Sequence, residues 1–238
     1  MTRREFAACS FVGSVPFFHR RQVELAGIRF NVRRGGPGSR RYLHIHGDEP
    51  TAREVLNIHM EMYPGIAYLV ESQTRNVTLD GLQIDPNRLF SRAGAEQSLR
   101  DQNAGVAPEK FAPALLFLDR HREDLIRHLE PKDGNLLFAI HNNREYSVTE
   151  EIAQSDGASI KEPHRPREFF LCTEAEDFAI LRQSPYNVVF QNRKPTADDG
   201  SLSRLAVKRG FRYVNLECGL GQFEAQLERV RWLEDHLK

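Results

Sequence analysis

Short, almost wholly apolar runs recur along this chain at Tyr42–Ile45, Ala67–Val70, Leu136–Ile140, Phe169–Cys172, Asn187–Phe190 and Tyr213–Leu216. A strand with one wet face alternates apolar and polar residues, so unbroken runs of this length suit strands covered on both faces. Helical patterns fill the intervals. Thr51 with Glu54 reads as a capping box opening a helix that carries Val55, Ile58 and Met62 on one face. Leu115, Leu118, Arg122, Leu125 and Leu129 follow helical spacing, interrupted only by the arginine. Thr173 with Glu176 reads as a second capping box, Ser201 to Lys208 as a short helix stopped by Gly210, and Phe223 to Leu237 as a last apolar stripe. "QVELAGIRFNVR" alternates on both sides of Ala26-Gly27 and predicts an opening hairpin. Alternating strands and helices predict one α/β domain over residues 19–238, with a mixed, mostly parallel central sheet and helices on both faces.

The 238 residues carry 33 basic and 33 acidic side chains. That balance does not suit a chain built to ride on nucleic acid or anionic lipid. No apolar stretch reaches the roughly 18 residues that crossing a bilayer requires, so no stable membrane insertion is expected. The cysteines at 9, 172 and 218 make neither a zinc-ribbon spacing nor a disulfide framework. A metal in this chain must therefore be held by histidine and carboxylate.

Polar stretches at about 72–110, 142–168 and 191–200 exceed the ~12–15 residues usual for loops in a compact domain, which marks them as functional or disordered. "YLHIHGDEPTAREVL" (42–56) concentrates histidine and carboxylate between an apolar run and a helix start. It fits a polar loop capping a helix, and it also fits half of a metal site. Ligands in open α/β sheets bind at the carboxyl ends of strands. His46 and Glu49 follow the first apolar run, His141 follows "LLFAI", and Glu217 follows "YVNL". Two imidazoles and one carboxylate leave a zinc position open to water, as catalytic sites do. A further carboxylate, here Glu217, can take the proton of that water and hand it to a leaving amine. In "IDPNRLFS" (84–91), Asn87 and Arg88 offer an amide and a guanidinium fork suited to a substrate carboxylate.

The combination H-G-D-E, D-P-N-R, a later strand-terminal histidine and a final strand-terminal glutamate resembles the zinc carboxypeptidase superfamily. The H-G-x-E and D-x-N-R forms are most similar to its succinylglutamate desuccinylase/aspartoacylase branch, and the motifs run from His46 to Glu217. The resemblance implies a carboxypeptidase-like fold with one zinc per chain on His46, Glu49 and His141, and Glu217 as general base. It implies Asn87 and Arg88 on the substrate carboxylate, and Arg75 of "SQTRN" polarising the scissile carbonyl. The activity implied is hydrolysis of an amide next to a free carboxylate, in a peptide or an N-acyl amino acid. A non-catalytic carboxypeptidase-like binding protein is the alternative. Residues 218–238 follow Glu217 where the branch usually carries a β-rich domain, and "ECGLGQ" lacks the family's glycine-proline. Substrate identity is therefore not carried over from the branch.

Other residues have plainer readings. His44 is expected to pack in the core, His59 to lie at the surface or partly buried, and His121 and His128 to pack or face solvent. Asp48 is read as a solvated loop residue or a partner holding a ligating histidine. Asp85 could cap the turn before Pro86. Cys172 and Cys218 fit small apolar packers, although a cysteine nucleophile with His141 as base is conceivable. Arg3 and Arg4 in "TRREF", followed by small and apolar residues through Phe18, resemble a twin-arginine export signal and hence a periplasmic protein. The alternative for residues 1–18 is an N-terminal strand of a cytoplasmic protein.

Overall fold

The computed structural model describes residues 20–132, 134–193 and 198–238, so the expected export segment lies outside the described residues. The chain enters through a hairpin of β1 (Arg20–Leu25) and β2 (Ile28–Arg34), turning at Ala26-Gly27 as the alternation requires. Then follow β3 (Arg41–His44), α1 (Pro50–Met62) and β4 (Ile66–Val70). The polar stretch after β4 is largely ordered. It holds a small hairpin, β5 (Val77–Leu79) and β6 (Leu82–Ile84), a 3-10 turn at Pro86–Arg88, and α2 (Arg92–Gln102). Next come α3 (Ala112–Leu129), β7 (Leu137–Asn143), α4 (Val148–Ile152), β8 (Gly157–Ser159) and β9 (Phe169–Cys172). The chain closes with α5 (Ala175–Leu181), β10 (Asn187–Phe190), α6 (Leu202–Arg209), β11 (Tyr213–Gly219) and α7 (Phe223–His236).

Nine strands form one mixed sheet in the order β1-β2-β4-β3-β7-β11-β9-β10-β8. β4, β3, β7 and β11 run parallel through the middle, and β9 with β10 makes a further parallel pair. The β1–β2 hairpin, the β2–β4 and β8–β10 pairs and the β11–β9 junction are antiparallel. Successive residues of a strand point to opposite faces, and the two cores show that period directly. On β7, Leu137 and Ala139 join the core beneath α2, α3 and α6, while Phe138 and Ile140 join the core beneath α1, α5 and α7. Both faces are covered, as the unbroken apolar runs required.

Three local expectations need correction. Thr51 does not cap α1, because Pro50, with φ already fixed for a helix, takes the first helical position and Glu49 becomes the N-cap. The freed Thr51 hydroxyl instead accepts the Gly221 N–H at 3.0 Å, tying α1 to the end of β11. Thr173 likewise does not cap α5, which starts after Glu174; its hydroxyl faces the carbonyl of Tyr213 at 3.4 Å. His59 is fully buried rather than at the surface or partly buried, and is stacked on Tyr63 with ring centroids 4.4 Å apart.

Candidate metal centre

β3, β7 and β11 are adjacent and mutually parallel, so their carboxyl ends open on one side of the sheet. The strands run further than the apolar pattern suggests: β7 carries His141 and β11 carries Glu217 inside their last turns of pleat. The two residues are direct partners in the ladder. By the strand period, Tyr213, Asn215 and Glu217 share the face that His141 shares with Ala139.

His46 and Glu49 reach the same point from the loop that links β3 to α1. Gly47 sits where a Cβ would fall 2.5 Å from the Ser72 carbonyl carbon and 2.6 Å from the Thr74 oxygen. Only glycine lets this loop press against the segment leading to Arg75. His44 is a core residue as expected, and its Nε2–H donates to the Glu49 carbonyl at 2.9 Å, fixing the far end of the loop. Burial depresses its pKa to about 4, so it braces the loop as a neutral ring.

The donor atoms converge. His46 Nδ1 lies 2.9 Å from Glu49 Oε1 and 3.3 Å from His141 Nδ1, and His141 Nδ1 lies 3.2 Å from Glu49 Oε2. Zinc–nitrogen bonds of about 2.0–2.1 Å in a tetrahedron put neighbouring donors about 3.3 Å apart, which is the spacing seen here. All three residues are buried, and Glu49 Oε2 has no hydrogen-bond donor. Two bare-edged imidazole nitrogens facing one carboxylate in a dry site make a set that a divalent cation satisfies and protons cannot fully satisfy. The residues fit zinc.

Asp85 supplies what the sequence left ambiguous. Its Oδ1 accepts the Asn87 N–H at 2.8 Å, capping the 3-10 turn, and also accepts the Nε2–H of His46 at 2.9 Å. That second bond selects the tautomer with a lone pair on Nδ1, the atom that faces Glu49 and His141. Asp48, the carboxylate the sequence offered for this role, makes no hydrogen bond or ion pair with His46 among the described residues; its Oδ1 is buried without a hydrogen-bond partner. With no cation bound, burial opposes charge on His46, but Glu49 and Asp85 on either side outweigh it and hold its pKa up at about 9. The ring then carries a proton on Nδ1 as well, which a bound cation would displace. Burial would also raise Glu49; His141 and His46 overcome it and hold the carboxyl well below the usual range.

Glu217 has a different environment. Its oxygens accept the side-chain amides of Asn143 and Asn215, each at 3.1 Å. Burial pushes its pKa up, with the charge of Glu49 adding to that, against the opposing pull of His141 and the two amides. A buried carboxylate raised in this way is a better proton acceptor than a free one. Nothing in the sequence pattern pointed to Asn143 or Asn215, since only the register of β7 against β11 brings them to Glu217.

His46, Glu49, His141, Glu217, Arg75, Asn87 and Arg88 all line one cavity of about 530 Å³. Arg75 is half exposed and reaches Glu49 at 3.5 Å and Asp85 at 3.3 Å. The Arg88 guanidinium bonds only the Asn87 carbonyl among the described residues, at 3.0 Å. The remaining wall comes from α6 and the segment before it, including Ser201, Ser203 and Arg204, and from Tyr146 and Glu151 beyond β7. The sequence alone gave no reason to include that wall. Cys172 and Cys218 are buried, with thiols pushed up by desolvation, and neither lines the cavity. They are packers.

No family model and no curated protein matches the chain. Solved structures do. The chain is similar to the apo ectoine utilization protein EutE (DoeB) from Ruegeria pomeroyi, at 18% identity over 87% of this chain and 60% of that one, with a TM-score of 0.46. It is similar to the succinylglutamate desuccinylase from Chromobacterium violaceum at 15% identity, over 90% and 72% of the two chains, with a TM-score of 0.48. A succinylglutamate desuccinylase/aspartoacylase from Rhodobacter sphaeroides shares 13% identity over 92% and 65%, at a TM-score of 0.43. The chain thus spans about 60% of the length of the EutE structure. The Chromobacterium violaceum and Rhodobacter sphaeroides structures bear the names of the branch that the H-G-D-E and D-P-N-R motifs resemble.

Proposed function

We propose that this protein is a zinc-dependent hydrolase that cleaves an amide next to a free carboxylate, in a peptide or an N-acyl amino acid. The observation that carries this reading is the convergence of His46 Nδ1, His141 Nδ1 and the Glu49 carboxylate, all 2.9–3.3 Å apart, beside a buried carboxylate of raised pKa. Zinc held there would supply Lewis acidity to a carbonyl and lower the pKa of a water. The chain's own groups do the rest. Asp85 keeps the Nδ1 edge of His46 turned to the donor set. Glu217 accepts the proton of the attacking water and returns it to the leaving amine nitrogen, with Asn143 and Asn215 aiming its oxygens. Arg88 and the Asn87 amide bind the substrate carboxylate and so set which bond lies at the site. Arg75, at the mouth beside Glu49, is assigned to the carbonyl oxygen of the scissile amide.

The test has two arms. Purified protein should carry one zinc per chain, and His46→Ala should lose it; full metal content in that variant overturns the metal assignment. Turnover of a panel of N-acyl amino acids and short peptides, each beside its C-terminal amide, should show a preference for the free carboxylate that Arg88→Ala abolishes. A charge-assisted contact of this type is worth about 1.5–3 kcal/mol, so about ten- to a hundredfold in kcat/KM. Equal losses on acid and amide would make Arg88 a structural residue instead.

A further inference from the structure

Two glycines far from each other in sequence meet behind the carboxylate clamp. A Cβ on Gly94, in the first turn of α2, would fall 2.4 Å from the Asp199 carbonyl oxygen and 2.4 Å from Gly200 Cα. A Cβ on Gly200 would fall 2.3 Å from the Arg88 carbonyl oxygen and 2.8 Å from Gly94 Cα, and Gly200 has a φ of +71°. All these neighbours are main chain, so no side-chain rotation relieves the contact. The seam is also hydrogen-bonded: the Phe90 N–H donates to the Gly200 carbonyl at 3.1 Å. Two residues further on, the Leu202 N–H donates to Asn87 Oδ1 at 3.1 Å, across 115 positions of sequence.

That last bond decides which way the Asn87 amide faces. With its oxygen held by Leu202, what Asn87 can offer to the cavity it lines is the Nδ2 donor, the polarity a carboxylate needs. We propose that Gly94 and Gly200 are positioning residues for substrate binding. Their backbone-to-backbone contact seats the 199–202 segment against the 87–90 turn, so that Leu202 fixes the Asn87 amide with its donors toward the substrate carboxylate. This inference rests on the reading of Asn87 and Arg88 as the carboxylate clamp. The glycines touch no substrate; they act through Leu202 and Asn87.

Gly94→Ala and Gly200→Ala wedge the seam open. Leu202→Pro leaves the glycine seam and deletes the N–H that holds the Asn87 side chain. Because Leu202 is also a buried core residue, Leu202→Ala, which loses the same side chain but keeps the N–H, is its control. Leu202 is the first helical residue of α6, where proline is accepted, and Ser201 before it has φ −75° and ψ 156°, the extended conformation a following proline requires. For each variant, KM and kcat are measured on a carboxylate substrate and on its amide analogue, together with zinc content and Tm. The expected result is a KM for the carboxylate raised about tenfold, with kcat within about threefold, the amide KM unchanged and zinc retained. A purely structural role would lower Tm and leave the acid-over-amide preference intact. Arg88→Ala is the reference: if it erases the preference while Leu202→Pro and the glycine variants leave it untouched, the positioning role is wrong and the clamp stands. If Arg88→Ala itself leaves the preference intact, the clamp reading fails. Should a glycine variant not fold, Leu202→Pro compared with Leu202→Ala decides, and an acid-over-amide preference equal in the two overturns the inference.

Discussion

Glu217 and His141 share a rung of the sheet, yet one faces two amides and the other faces a carboxylate and a second imidazole. Chemistry at the residue scale follows from that division. In the proposed mechanism the carboxylate that moves the proton must stay off the metal, and the Asn143 and Asn215 amides hold Glu217 where it is. Glu217→Gln keeps the shape and one amide contact while removing the proton acceptor. Zinc content and Tm should persist and kcat should fall about 10²–10⁴-fold. Measuring the three together separates the roles, since loss of a ligand lowers metal content and loss of a structural carboxylate lowers Tm. A fall in kcat of less than about tenfold with metal retained removes Glu217 from the base role.

At the scale of elements, α7 is held to the central strand β3 and to α1 by an ionic knot. Glu234 accepts the Tyr42 hydroxyl at 2.9 Å, pairs with Arg40 and lies 3.3 Å from His59 Nε2. Burial alone would raise the Glu234 pKa; His59, Arg40 and the Tyr42 hydroxyl overcome it and hold the carboxyl below its usual value. A depressed carboxylate pKa contributes stability that is present above the unfolded-state value of about 4.3 and is lost as pH falls through the folded-state value. Glu234→Gln should therefore lower the urea midpoint near pH 7, and the gap to the wild type should close as the pH drops below about 4. A gap that stays constant with pH would mean that α7 docks through packing alone. Arg229, on the same helix, shows a second ionic anchor: it is buried over the Tyr186 ring and bridges Glu162 at 2.5 Å and Glu168 at 2.8 Å, pinning the polar segment before β9.

At the scale of the whole molecule, the donor set is assembled from strands and loops whose positions the two apolar cores already fix. Zinc bound at the proposed site would therefore stabilise the fold without creating it. Chelation should leave the far-UV circular dichroism unchanged and lower Tm, and zinc should restore it in a concentration-dependent way. The shift follows from linkage, about 2.7 kcal/mol when free zinc is a hundred times Kd. Loss of secondary structure on chelation would instead place the metal among the determinants of folding.

The sequence by itself determined the layering. Its apolar runs are too continuous for one-sided strands, so a sheet covered on both faces was the only outlet for them, and the hairpin at Ala26-Gly27 was legible in simple alternation. It also named seven candidate site residues: His46, Glu49, His141 and Glu217 as donor types at strand ends, where α/β sheets bind ligands, Asn87 and Arg88 as an amide beside a guanidinium, and Arg75 only through the family resemblance. What it could not hold was anything set by register or long-range approach. The order of β3, β7 and β11 decided that His46, His141 and Glu217 would meet at all. Asp85 looked like a turn cap because capping is written in neighbouring residues, whereas its bond to His46 spans 39 positions. Asn143 and Asn215 acquired a role only when β7 and β11 paired, and Gly94 and Gly200 only when two backbones closed to a distance that excludes a methyl group. Local sequence encodes what a residue can donate, accept or bury. Which partner it finds is set by packing that hundreds of contacts decide together, and that part exists only in the folded chain.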